Sequence, residues 1–476
     1  MNEPRARRYR PDRETRLLRD GEVVVGGRPA RVIRLAPAGA AVLREAIGGG
    51  ASGSGPAAER LLRRLCDAGM IHPLPEPDDR AGDRTTVVIP ARDEAAGIGR
   101  LVASLVPRSA GVIVVDDGSR EATARLAAEA GATVIRHRTS RGPAAARNTA
   151  LREVSTELVA FLDADCLAPS EDWLDRLAPH LDPPGQVLAA PRIIGAGPRA
   201  SDGILAAAIA GYERRACPLD MGSDASPAGI GHRVSFLPSA AMLARRDALL
   251  EIGGFDESLR YGEDVDLIWR LNASGGMCRY EPSVVIEHRS RTGLRAFARQ
   301  RFEYGRSAVA LDRRHPGAVS PVQGGRSATA AALALPVAGP LPMAGVALWG
   351  ARRMKGSGVP LASGEALRVT VESGLVSARG LSRVLSREWL PLTMLAAGSK
   401  RLRRVALLGL VGLVADEARH GTGRLPRSIV FGLLDRLSYS AGLWTAAVSE
   451  RRAGALTPGR RPGPARSPGS RSSARS

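Results

Sequence analysis

Two aspartates one residue apart, Asp163 and Asp165, close the apolar run in "VAFLDADC". Neighbouring carboxylates repel, so they persist at a strand end only with a cation, a proton or a cationic side chain between them. A divalent ion such as Mg²⁺ or Mn²⁺ prefers oxygen ligands and completes its shell with phosphate oxygens. The pattern recurs elsewhere in the chain. Asp116 and Asp117 end "VVDDGS", Asp93 and Glu94 follow "TTVVIPAR", and Glu263 and Asp264 stand in "YGEDVDLIWRL". Asp116 and Asp117 are suited to accept hydrogen bonds from a base or ribose. Arg147 and Asn148 in "GPAAARNTALREV" lie on a helix whose basic start can meet phosphate. Glu263 and Asp264 offer a general base. His288, after the strand "VVIEH", offers another metal ligand.

The elements that would position these groups alternate. From Thr85 the chain reads as strand "TTVVIPA", helix "AAGIGRLVASLVP", strand "GVIVVDDGS", helix "EATARLAAEAG", strand "ATVIRH", helix "GPAAARNTALREV" and strand "LVAFLDADC". That grammar predicts an α/β domain with a parallel, doubly wound sheet. Ligands of such sheets sit beyond the carboxyl ends of the strands, where the carboxylates stand. Residues 170–315 mix helices and short strands.

Upstream, residues 1–80 form a small separate unit. "GEVVVGG" and "ARVIRLA" predict two strands, and "APAGAAVLREAIGG" and "AAERLLRRLCDAGMIHPLP" two helices. The polar stretch "PEPDDRAGDR" marks its boundary with a catalytic domain over 85–315. Downstream, 326–450 is mostly helical and hydrophobic. Ser327–Ala351 has no charged residue and is long enough to cross a bilayer, but it holds Pro336, Pro340 and Pro342. Two readings fit: a membrane-associated segment, or an alanine-rich helical region packed on the catalytic domain. "RVALLGLVGLVADE" is too short to span. The basic, low-complexity end, 451–476, predicts a solvated disordered tail.

The net charge of +20 suggests nucleic acid or a membrane surface. Lysine occurs only at Lys355 and Lys400, however, so nearly every cation is arginine, as a GC-rich genome would write it. Neither interleaved aromatics nor a nucleic-acid module accompanies the charge, so no nucleic-acid partner is expected. Cys66, Cys166, Cys217 and Cys278 show no paired spacing, which fits a reducing compartment. The first residues lack the apolar core of a secretory signal. The expected location is the cytoplasm or the cytoplasmic face of the membrane.

Taken in order, "VVIPARDE", "VVDDGS", "ARN", "FLDADC", "GGFDE" and "GEDVDL" resemble a family 2 glycosyltransferase of GT-A fold, over roughly Thr85 to Arg314. The resemblance implies that Glu94 and Asp117 hold the nucleoside. It implies that Asp163 and Asp165 hold metal and diphosphate, Asp165 chiefly, and that His288 reaches the metal. Asp264 would be the base that deprotonates the acceptor hydroxyl in a single inverting displacement. Two features depart from the family: Thr149-Ala150 follow "ARN" where x-Gly is common, and no QxxRW motif is present, "RQRFEYGRS" standing in its neighbourhood. Long-chain polymer synthesis is therefore not expected.

The N-terminal unit is similar to small winged-helix peptide-recognition domains that dock precursor peptides, often by strand addition. Together with the hydrophobic C-terminal region, the layout resembles the glycosyltransferases of the actinobacterial mycofactocin system. That resemblance implies a peptide-derived redox cofactor or its precursor as acceptor and UDP-glucose as donor. The other readings are a family 2 enzyme of cell-envelope glycan or lipid acceptors, a sugar-1-phosphate nucleotidyltransferase, and an inactive peptide-binding membrane scaffold. A nucleotidyltransferase would want a glycine-rich, arginine-containing loop where "PARDEAAGI" supplies carboxylates. A scaffold would have lost a carboxylate, and all are present.

Overall fold

The aliphatic runs that begin at Thr85 meet in one sheet of a computed structural model. The structure describes residues 8–28, 31–49, 55–289, 293–321, 378–400, 402–419 and 425–457, with a few single positions between 344 and 371. These residues divide into two compact units. One comprises the described residues up to Ala196 together with Cys217–Arg289. The other comprises Gly197–Ala216 and the described residues of Ser290–Pro462.

In the first unit an eight-stranded sheet runs in the order β11-β13-β10-β12-β9-β6-β7-β8. Its strands are β6 (Thr85–Ala91), β7 (Gly111–Asp116), β8 (Thr133–Arg136), β9 (Leu158–Leu162), β10 (Gln186–Gly195), β11 (Ser226–Ala228), β12 (Ala241–Arg245) and β13 (Met277–His288). Every residue of β9 is buried, as a strand covered on both faces requires. The sheet corrects one expectation, because it is mixed rather than parallel. β12 lies antiparallel between β9 and β10, and β11 lies antiparallel at the edge. After β10 the chain first forms the edge strand β11 and then enters β12 at the carboxyl edge of the sheet, Ala241 pairing with Leu162 at the end of β9. A strand entered from there must run backwards. This return places Ser239 and Ala240 beside the exit of β9.

The N-terminal part of this unit holds a two-stranded sheet, β1 (Arg8–Pro11) with β5 (Ile71–Leu74), and a three-stranded sheet. The latter joins β2 (Arg16–Leu18), β3 (Val23–Gly26) and β4 (Arg31–Arg34). Helices α1 (Pro37–Gly48) and α2 (Pro56–Asp67) cover a core of Val24, Leu43, Leu65 and Ile71. β3, β4 and both helices follow the sequence reading. β1, β2 and β5 did not stand out there, being only 3 to 4 residues long and rich in arginine and proline.

In the second unit, helix Leu294–Arg314 packs along helix Leu425–Ser449. Gly305 and Gly442 allow the close approach, since a Cβ on either would collide with the backbone of the other helix. Arg301, in the "RQRFEYGRS" stretch, is buried here. It donates to Glu213 at 2.6 Å and to Asp435 at 2.8 Å and stacks on Phe297. Among the described residues no helix is long and apolar enough to cross a membrane. Ser327–Ala351 lies outside the described residues apart from single positions, and so does the tail after Thr457.

Removing one partner of a buried ion cluster strands the others. Arg301→Ala should therefore lower the unfolding free energy by about 3–5 kcal/mol, read by urea denaturation.

Candidate active site

The strand ends decide which acidic groups meet. Asp163 follows β9, and its N–H donates to Ala240 O at 2.9 Å. The next turn pairs with the end of β13: Leu167 N donates to Glu287 O at 2.8 Å, Arg289 N to Asp165 O at 2.9 Å, and Cys166 bridges His288. These backbone bonds carry His288 to the DxD turn across more than a hundred residues of sequence. His288 Nε2 lies 3.0 Å from Asp165 Oδ1. Asp163, Asp165 and His288 each offer a ligand atom, and these atoms lie within 4.8 Å of one another. Two carboxylates and an imidazole fit a hard or borderline divalent cation such as Mg²⁺ or Mn²⁺ and lack the thiolates of a zinc or iron–sulfur site.

Glu263 and Asp264 open α9 (Glu263–Ala273), after Gly262 in the left-handed region at φ 82°. Asp264 Oδ1 accepts from Val265 N at 2.8 Å, and its Oδ2 faces Ser239 N at 3.4 Å. Between this pair and the DxD lies Arg147, on α5 (Pro143–Glu153). Ala144, Ala145, Ala146 and Ala150 let that helix pack close against the sheet, and only 2% of the Arg147 side chain is exposed. Its Nη2 donates to Asp163 Oδ1 at 2.5 Å and its Nη1 to Glu263 Oε1 at 3.1 Å, with the guanidinium over the Phe255 ring. One arginine thus holds the first carboxylate of each pair. Asp165 and Asp264, the second of each, are not held by it.

Burial sets the protonation of these groups. It raises the Asp163 carboxyl against the pull of Arg147. It also raises Asp264, in spite of the N–H groups of Val265 and Ser239. Burial, helped by the Asp264 charge, pushes Glu263 up to about 7. At Asp117 the balance tips the other way. Burial raises it, but N–H bonds from Arg141 and Gly142 and bonds from His137 and Ser140 hold it below the usual carboxylate range.

Those bonds fill both Asp117 oxygens: His137 Nδ1 at 2.8 Å and Arg141 N at 2.8 Å on Oδ1, Ser140 Oγ at 2.7 Å and Gly142 N at 2.9 Å on Oδ2. Asp117 thereby shapes the loop leading into α5. Fully buried Asp116 accepts from Ser119 N and pairs with Arg136 at 3.1 Å. Glu94, half-buried after β6, takes its backbone position from Thr123 Oγ1, which accepts its N–H at 3.0 Å. Asn148 grips the "GGFDE" turn: its Nδ2 donates to Phe255 O at 2.8 Å, and its Oδ1 accepts from Phe255 N at 2.9 Å. Gly254 has φ 71°, and a Cβ there would strike Asn148 Oδ1.

Residues 86–251 match the family described as glycosyl transferase family 2. The pre-mycofactocin glycosyltransferase of Mycobacterium tuberculosis is 37% identical over 470 residues, covering 94% of this chain and 96% of the relative. The chain belongs to glycosyltransferase family 2. Its mixed sheet and flanking helices are the α/β fold of the GT-A type. The succinoglycan biosynthesis protein ExoA of Rhizobium meliloti is 26% identical over 246 residues, 48% of this chain and 70% of that protein. Among solved structures, a mannosyltransferase from Pyrobaculum calidifontis, in complex with GDP-mannose and Mn²⁺, superposes with a TM-score of 0.37 at 17% identity, covering 71% of this chain and 88% of that one.

Two contributors to this glycosyltransferase site escaped the sequence reading. His137 links Asp117 to Thr149, its Nε2 lying 3.1 Å from Thr149 Oγ1. Its place at the exit of β8 was the available signal. Ser239 and Ala240 act through backbone atoms, which leave no residue-type signature. Arg147→Met removes the shared counter-ion of a half-buried carboxylate, Asp163, and a buried one, Glu263. It should cost about 3–5 kcal/mol in chemical denaturation, with part recovered on adding Asp163→Asn and Glu263→Gln.

Proposed function

We propose that this glycosyltransferase moves a glucose from UDP-glucose onto a peptide-derived redox cofactor precursor, pre-mycofactocin, with inversion and with a divalent metal. The observation that carries the reading is the pair of carboxylate pairs joined by Arg147, one beside a metal-ligand cluster and the other at a helix start. The full-length similarity to a pre-mycofactocin glycosyltransferase supports the acceptor. The N-terminal unit supports a peptide-derived acceptor. Its β2-β3-β4 sheet leaves β2 and β4 as edge strands to which an extended segment can add.

Asp165 and His288, with Asp163, would hold the metal. When bound, a divalent ion there offsets the negative charge that develops on the leaving diphosphate. The remaining roles belong to the chain. Glu94 and the loops that Asp116 and Asp117 organise receive the nucleoside, with Asp117 acting through the loop it ties. Asn148 and Gly254 fix the turn carrying Phe255, against which Arg147 rests. Arg147 holds Asp163 and Glu263 in place. Asp264 accepts the proton of the acceptor hydroxyl as that oxygen bonds to the anomeric carbon and the sugar–phosphate bond breaks. Its raised proton affinity suits it to that task. The division of labour proposed is a recognition unit over 1–80 serving a catalytic domain over 85–315. The place of action is the cytoplasm or the cytoplasmic membrane face.

The reading is tested with purified protein, Mn²⁺ or Mg²⁺, a panel of nucleotide sugars and pre-mycofactocin. Mass spectrometry should report a single hexose mass from UDP-glucose. Asp165→Ala should lose at least ~10³-fold in turnover while unfolding at the wild-type temperature, and excess chelator should silence the wild type until Mn²⁺ is restored. Transfer to a lipid-linked glycan, with pre-mycofactocin untouched, would favour the cell-envelope reading instead.

Acidity supplies a second test. The Glu263–Asp264 pair titrates as a unit, with the Glu263 carboxyl near 7. Below that pH the pair holds a proton and the base form is lost. The acceptor kcat/KM should therefore rise from pH 6 to pH 8 and level off, and Glu263→Gln should displace the acidic limb. A flat profile over that range would exclude the pair as the base.

A further inference from the structure

The segment 233–240 has two ends with different partners. At its far end Ser239 N faces Asp264 Oδ2, and Ala240 O receives the N–H of Asp163. Midway, Trp269 of α9 donates its Nε1 hydrogen to Ser235 O at 2.8 Å, and Leu237 is fully buried. The segment is therefore built into the wall of the reaction cleft. At its near end Arg233 reaches into the N-terminal part of the chain. Its Nη1 donates to Asp12 Oδ2 at 3.0 Å and its Nη2 to Asp12 Oδ1 at 2.8 Å, a two-pronged fork.

Asp12 is almost completely buried and serves as a hub. Besides the Arg233 fork it contacts His72 Nε2 at 2.9 Å and accepts from Glu14 N at 2.9 Å, while its own N–H donates to Met70 O. Burial raises its carboxyl, yet the bonds from His72 and Arg233 outweigh that and hold it well below the usual range. Glu14 and Asp224 stand 3.4 Å and 3.5 Å from the same guanidinium. Beside this fork Gly69 packs against Pro227 of β11. Seven peptide steps separate Arg233 from Ala240, at most about 25 Å when fully extended. A short peptide seated near Arg233 could therefore reach Asp264.

We propose that Arg233 is the positioning residue that joins acceptor recognition to the reaction. Its fork on Asp12 fixes the N-terminal unit to the strap 233–240, so a peptide-derived acceptor docked on that unit presents its hydroxyl to Asp264. This rests on the assignment of Asp264 as base and of the N-terminal unit as the recognition element. It adds the residue through which they communicate.

The test uses the full chain with Arg233→Ala, Arg233→Lys and Asp12→Asn, pre-mycofactocin as acceptor and UDP-glucose as donor. The KM for pre-mycofactocin should rise at least ~10-fold in Arg233→Ala and Asp12→Asn, and less in Arg233→Lys, which keeps the charge but loses the fork. UDP affinity by calorimetry and the slow hydrolysis of UDP-glucose by water should stay within about twofold of wild type, since neither uses the N-terminal unit. The double variant Arg233→Ala/Asp12→Asn should be no worse than either single change. Equal losses in hydrolysis and transfer, an unchanged acceptor KM, or failure of even Arg233→Lys to fold would each overturn the proposal.

If the wild type leaves pre-mycofactocin unmodified, it is the acceptor assignment that fails. Hydrogen exchange then reads the coupling alone. Amides of 234–236, next to the lost fork, should exchange faster in Arg233→Ala, and unchanged protection there would overturn it.

Discussion

One guanidinium organises the cleft. Arg147 lies between two pairs of adjacent carboxylates and takes one oxygen from each pair. Without a cation at that point four acidic groups would share a poorly solvated pocket, and repulsion would drive protons onto some of them or move the strands apart. With it, the first acid of each pair is neutralised internally. The second of each pair, Asp165 or Asp264, is not held by it. The same contact couples the two halves of the site, since Asp163 sits on the metal-ligand side and Glu263 beside the candidate base. The Phe255 ring beneath the guanidinium, and the alanine face of α5 behind it, leave Arg147 no other place to go.

The rest of the fold supplies the geometry. β9, β6 and β7 release their polar residues at one edge because they run parallel, and β13 adds His288 there because it runs parallel to β10. The antiparallel β12 returns from that edge and delivers two backbone groups, Ser239 N and Ala240 O, to Asp264 and Asp163. Acidic residues named in the sequence as ligand groups divide into two kinds of task. Asp163 and Asp165 face the cleft with His288. Asp116 and Asp117 are tied into their own surroundings, Asp116 by Ser119 N and Arg136, and Asp117 by the side chains of His137 and Ser140 and the N–H groups of Arg141 and Gly142.

Much of this was legible in the chain itself. The strands and helices from Thr85 to Leu162 fall where period and composition put them, because long aliphatic runs leave little choice of partner. The pairing of acids at strand exits, and the membership of Glu263, Asp264 and His288 in one site, follow from motif order. Less was legible where partners are distant in sequence. The reversed strand β12 has the same aliphatic composition as a parallel one, and direction is set by where the chain re-enters the sheet. The short strands β1, β2 and β5 carry arginines and prolines that read as loop.

Sequence alone determined which residue types stand at the strand exits, and so the class of chemistry open to them: carboxylates, one arginine and one histidine. Tertiary structure alone decided which carboxylate of each pair takes the arginine. Hydrogen bonds such as Arg147 to Glu263, or Arg233 to Asp12, join segments more than a hundred residues apart. Charge and spacing in a linear chain cannot rank one acid above its neighbour. Only the fold, by bringing Arg147 onto one of them, makes the two unequal.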